Sequence, residues 1–126
     1  MKVPVSVEAA IRSSVRPGEV LRTPTGTAPF VVAQLGAEGL SLLIGPKRTR
    51  TLLTWRCLEG VPGYLDGRGW VLVGANRDVN GDYGLDGYLK GWIKRQIANY
   101  VAVVLELADV LELDRRRPAQ VRLTDR

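Results

Sequence analysis

"LDGYLKGWIKRQIANYVAVVLELA", Leu85 to Ala108, is the stretch on which the fold turns. Leu85, Tyr88, Leu89, Trp92, Ile93, Ile97, Tyr100, Val101, Val104, Leu105 and Ala108 recur at three- and four-residue steps, the period of one apolar helix face. Asp86, Lys90 and Lys94 fall on another stripe and are expected to face water. The run reads as one long amphipathic helix. Periodicity alone leaves open a division into two by a tight turn near Arg95 to Asn99.

Working upstream, "WVLVG" reads as a strand entered through the glycine turn of "GRG", and Thr54 can cap a helix through "WRCLEG". Gly60 and Pro62 are expected to end or kink that helix early. "FVVAQL" and "GLSLLIG", separated by Gly36-Ala37-Glu38, read as a β-hairpin, with Thr51 to Leu53 as a third strand. "GEVLRTPTGTAP" reads as a turn-rich connection, and "VSVEAAIRSSV" as a short amphipathic helix ended by Pro17-Gly18. Downstream, "VLELD" and "QVRLT" alternate apolar and polar residues around "RRRPA", which makes a hairpin with a basic tip. The expected class is α+β: an N-terminal β-hairpin region packed on a C-terminal half with the long helix and a terminal hairpin. One domain of 126 residues is implied, with a β-rich subregion over 1–53 and a second subregion over 54–126.

From Thr54 the order is helix, strand, one or two helices, strand, basic turn, strand. With the long helix divided, this is the order of a winged-helix domain. The end of the chain, "LELADVLELDRRRPAQVRLTDR", resembles winged-helix transcription regulators of the multiple-antibiotic-resistance repressor type. Leu105, Leu107, Val110 and Leu111 stand in the closing helix and first strand, Arg115, Arg116 and Arg117 in the wing, and Val121, Leu123 and Thr124 in the return strand. The resemblance implies DNA binding, with the recognition helix falling on Ile97 to Asp109. Asp109 stands where that family usually carries glycine, so a non-glycine residue must make the tight turn. The helix offers Gln96, Asn99 and the flanking Arg95 for base edges but is otherwise Ile, Val, Leu and Ala, a core-like composition.

Composition narrows the function. Lys and Arg number 18 against 13 Asp and Glu, a net charge of +5, which favours acidic partners such as nucleic acid. There is no histidine, so the Ser-His-Asp and Cys-His arrangements and histidine metal sites are excluded. Cys57 is the only cysteine and sits among apolar neighbours, which fits a buried side chain rather than a nucleophile. Neither a signal peptide nor an apolar run of membrane-spanning length is present, so a cytoplasmic location is expected.

"DVNGDYGLD" places Asp78, Asn80, Asp82 and Asp86 on the first, third, fifth and ninth positions of a calcium loop. Tyr83 stands at the sixth position, which calls for glycine, and Leu89 at the twelfth, which calls for a carboxylate. No metal or other cofactor is therefore expected, and the stretch reads as a turn leading into the helix. The aromatics fall on apolar stripes or in a strand and read as core, Tyr64 excepted. The candidate phosphate contacts are two basic tips, Lys47, Arg48 and Arg50 in "GPKRTRT" and Arg115, Arg116 and Arg117 in the wing, together with Lys94, Arg95 and Asn99. Three adjacent guanidiniums at a turn are expected to be hard to pair internally; the other reading is a solvated turn with a neighbouring Asp114 salt bridge. The expected function is a non-catalytic nucleic-acid-binding module, directed mainly at phosphate. The alternative is a protein-interaction or dimerisation module that uses the apolar long helix as its contact surface.

Overall fold

A computed structural model describes residues 6–26, 28–74, 84–116 and 118–124. Helix α1 (Val7–Ser14) begins where the Ser6 side chain accepts from the Ala9 N–H, and it buries Val7 and Ile11. Four strands follow as an antiparallel meander: β1 (Val20–Arg22), β2 (Pro29–Leu35), β3 (Gly39–Ile44) and β4 (Thr49–Thr54), in spatial order β1-β2-β3-β4. Their core face carries Phe30, Val32, Leu40, Leu42 and Leu53, all essentially inaccessible. Strand β1 lies inside the segment expected to be a connection. Its three residues, Val20 to Arg22, are too few to show an alternation in sequence, and pairing with β2 creates it.

Two short helices come next, α2 (Trp55–Glu59) and α3 (Val61–Leu65). Thr54 caps α2 by accepting from the Cys57 N–H. The helix ends early at Gly60, as expected, and a second short helix starts directly after it. Gly60 closes α2 and opens α3, and Pro62 sits in the first turn of α3, where a missing N–H costs nothing. Strand β5 is short (Val71–Leu72), followed by α4 (Leu85–Lys90), α5 (Ala98–Leu107), β6 (Leu111–Asp114) and β7 (Gln120–Leu123). The last strands and β5 make a second antiparallel sheet in the order β5-β7-β6.

The run from Leu85 is therefore two helices, not one long one. Gly91 caps α4, and the exposed Lys94-Arg95-Gln96 segment turns the chain before Ile97 re-enters the core. The division lets Leu85 and Leu89 pack from one axis and Val101 to Leu105 from another. Asp86 is also corrected: it lies 4% exposed, its N–H on the Val73 carbonyl, rather than on a wet stripe. Gly84 is required just before α4, because any side chain there would strike the Leu72 backbone. Asp78, Asn80 and Asp82 of the calcium-like stretch lie outside the described residues.

Helix α5 is the centre of the molecule. Ala98 and all five residues from Val101 to Leu105 are buried, so apolar groups meet protein on nearly every side of the cylinder. It packs against α1, α4, β1 and β6, and Tyr100 meets Phe30 edge to face at 5.1 Å. One core thus joins both sheets. Among the described residues no helix is long and apolar enough to cross a membrane, and no group of three His, Cys, Asp or Glu could hold a metal.

Candidate nucleic-acid interface

The cations divide into three groups by position. The first lies on the β3–β4 turn, Gly45 to Arg48. Arg48 adopts φ 51° there, and its N–H reaches the Gly45 carbonyl. Lys47 and Arg48 are exposed. Arg50 leaves the turn along β4 and donates to the Gln34 side chain at 2.7 Å, beside a shallow groove of about 430 Å³ on the outer face of the first sheet. This turn belongs to the meander, whereas the wing belongs to the sheet of β5, β6 and β7.

The wing is more internally satisfied than its sequence suggested. Arg115 grips Glu106 near the end of α5 with two guanidinium nitrogens, at 2.6 and 2.5 Å. Arg116 folds back on Asp114, whose oxygens also receive the Arg116 backbone N–H. These hydrogen bonds from Arg116 hold the Asp114 carboxyl down to about 2. Arg122 pairs with Glu112 on the neighbouring strand and lies over the Trp70 ring at 4.6 Å. Arg116 thus takes the Asp114 salt bridge that was the alternative reading of this turn, and Arg115 finds an unforeseen partner in Glu106. Arg117 lies outside the described residues. Arg116 remains 89% exposed in its side chain, so its pairing is a surface one and exchanges readily for another anion.

The third group runs from the last residue of α4 through the α4–α5 connection into the first turn of α5. Lys90, Lys94, Arg95, Gln96 and Asn99 are all exposed. None of the three cations has an ion pair among the described residues. Trp92 stands among them, 46% exposed, which the core reading of the aromatics did not anticipate. Its ring lies 6.5 Å from Tyr88, and Tyr88 lies 5.1 Å from Tyr64, over which Arg68 sits at 4.4 Å. The Tyr88 hydroxyl donates to the Cys57 carbonyl at 2.6 Å, which locks this row to α2. Burial pushes the Tyr88 phenol up, with Cys57 adding to the effect and a hydrogen bond with Trp92 opposing it. The signal for Trp92 was present in sequence as its cationic flanks, Lys90, Lys94 and Arg95. The helical period hid it by assigning the ring to the apolar stripe.

Cys57 is 1% exposed and burial pushes its thiol up to about 11, so it holds its proton at neutral pH. No protein-family model, curated protein or solved structure matches the chain.

Proposed function

We propose that the protein is a non-catalytic nucleic-acid-binding module that holds the phosphate backbone through the α4–α5 connection, with the wing as a secondary contact. One observation carries this reading: Lys90 at the end of α4 and Lys94 and Arg95 on the connection after it are exposed and without ion-pair partners among the described residues, close in sequence to the exposed amides of Gln96 and Asn99. Exposed cations grouped along a short segment are the footprint that phosphate recognition needs.

A winged-helix assignment for residues 61–123 is supported by the element order α3, β5, α4, α5, β6, β7 and by the placing of β7 between β5 and β6. On that assignment α5 is the recognition helix, and the α4–α5 connection leads into it. Its burial restricts what it can read. Only Asn99 and the preceding Gln96 have both exposure and the amide geometry that pairs with base edges. Affinity is therefore dominated by phosphate, with little sequence preference.

The dimerisation reading required the long run's apolar face as its surface. Val101, Val103, Val104 and Leu105 are buried in the core, and Leu107 and Trp92 are the large apolar residues of that run left exposed, which favours the phosphate reading. The experiment is a mobility-shift series on a duplex at two salt concentrations. Lys94→Glu/Arg95→Glu is expected to lose most binding at low salt, and Arg115→Glu/Arg116→Glu/Arg117→Glu a smaller part. Unchanged binding by both variants, or no binding by the wild type at low salt, contradicts the reading.

A further inference from the structure

We propose that Trp92 is a stacking platform for an unpaired nucleobase, with the phosphates of that strand lying on Lys90, Lys94 and Arg95. The inference rests on the nucleic-acid reading above and deepens it, naming single-stranded segments as the preferred substrate.

The three tryptophans have different surroundings. Trp55 is 7% exposed, its indole N–H on the Gly36 carbonyl and the Arg12 guanidinium 5.0 Å from its ring. Trp70 is exposed at 41%, but Arg122 already covers its ring. Trp92 has Tyr88 tilted at 49° on one side, and no cation covers it among the described residues. It is also the tryptophan set within three residues of three exposed, unpaired cations.

The Trp92 backbone N–H bonds the Leu89 carbonyl at 2.9 Å, and the Tyr88 ring beside the indole is held by the Cys57 carbonyl and meets Tyr64. A backbone and a neighbouring ring already in place reduce the freedom lost on contact, which favours affinity. Stacking asks only for a π-face, and every base has one. That requirement suits a surface whose neighbouring helix offers few groups for reading base edges. In a duplex the base faces are already stacked, so Trp92 distinguishes unpaired from paired strands.

The test is a binding titration of the full chain, read by fluorescence anisotropy, with labelled oligothymidylate and with a duplex of equal length. Trp92→Leu is expected to weaken oligothymidylate binding by about 5- to 150-fold, the range of one base–aromatic stack, and duplex binding by less than about twofold. Trp92→Phe, which keeps a π-face, is expected to recover most of the loss, and Trp70→Leu to leave both affinities unchanged. Wild-type binding to both probes with equal effects of Trp92→Leu on each overturns the stacking role and leaves the phosphate reading standing. No wild-type binding to either probe overturns both. A change in self-association of Trp92→Leu, seen by sedimentation with oligothymidylate binding intact, assigns Trp92 to a protein contact and also overturns the proposal.

Discussion

Asp109 carries a left-handed backbone, φ 62°, in the turn that joins α5 to β6. Its N–H bonds the Glu106 carbonyl and the next N–H, of Val110, bonds Leu105, the paired hydrogen bonds of a Schellman ending. Glycine takes that conformation without a Cβ penalty, whereas a β-branched residue resists it. Asp109→Gly is expected to raise unfolding stability by up to about 1 kcal/mol, and Asp109→Val to lower it by about 1–2 kcal/mol, both read from denaturant midpoints. The sequence pointed to this turn only through a resemblance, in which Asp109 stands where winged-helix regulators usually carry glycine; its φ of 62° is the tight-turn conformation expected there. The state of Cys57 was legible from its apolar neighbours and the absence of histidine. Its thiol, raised from 9.0 to about 11, is neutral in the folded protein. The stability it contributes is present below about pH 9 and is lost as pH rises from there through 11. At pH 8 a thiol reagent is expected to label Cys57 only after denaturant unfolds the chain. Rapid labelling of the native protein contradicts this.

At the scale of elements, α1 is held to the rest of the fold by polar groups as well as by Ile11. Both oxygens of Glu59, at the end of α2, accept from the first-turn N–H groups of Val7 and Glu8. Arg12 spans Glu8 and the carbonyls of Leu35 and Gly36. Glu59→Ala leaves two helix-start donors without their protein acceptor and is expected to cost about 1–2 kcal/mol, with faster hydrogen exchange at Val7 and Glu8. The wing is tied to α5 by Arg115 and Glu106, and Glu106→Gln releases that guanidinium. Nucleic-acid affinity is expected to rise about threefold at low salt, and the gain to vanish at high salt, as in a mobility-shift comparison. Helix α1, strands β2 to β4 and the terminal hairpin could be read from period and turn residues. The division of α4 from α5 could not, since Gly91 and the Lys94-Arg95-Gln96 turn interrupt the apolar steps without breaking their count. Tertiary packing decided it: two axes bury both stripes against the core, and one straight axis does not. For the same reason Trp92 was misread as core and Asp86 as wet.

In the whole molecule, the N-terminal helix and meander flank the same helix that a winged-helix reading would direct toward a groove. Burial of α5 against α1 and β1 makes it a core helix. On the proposed reading, recognition falls at the edge of that helix, where the α4–α5 connection and its flanks carry cations, amides and Trp92. The net charge of +5 is read from the sequence, but it could not rank the three cationic groups. Ranking them depended on which carboxylates lie within reach: Glu106 and Asp114 occupy the wing, and no comparable partner meets Lys90, Lys94 or Arg95 among the described residues. The central claim is phosphate-directed binding through those residues. It is tested most directly by the dependence of the binding constant on salt, measured for wild type and for Lys94→Glu/Arg95→Glu. A logarithmic slope of about −3 to −5 on duplex DNA is expected for the wild type, made shallower by about 2 in the variant. A slope near zero, or a wild-type slope unchanged in the variant, contradicts it.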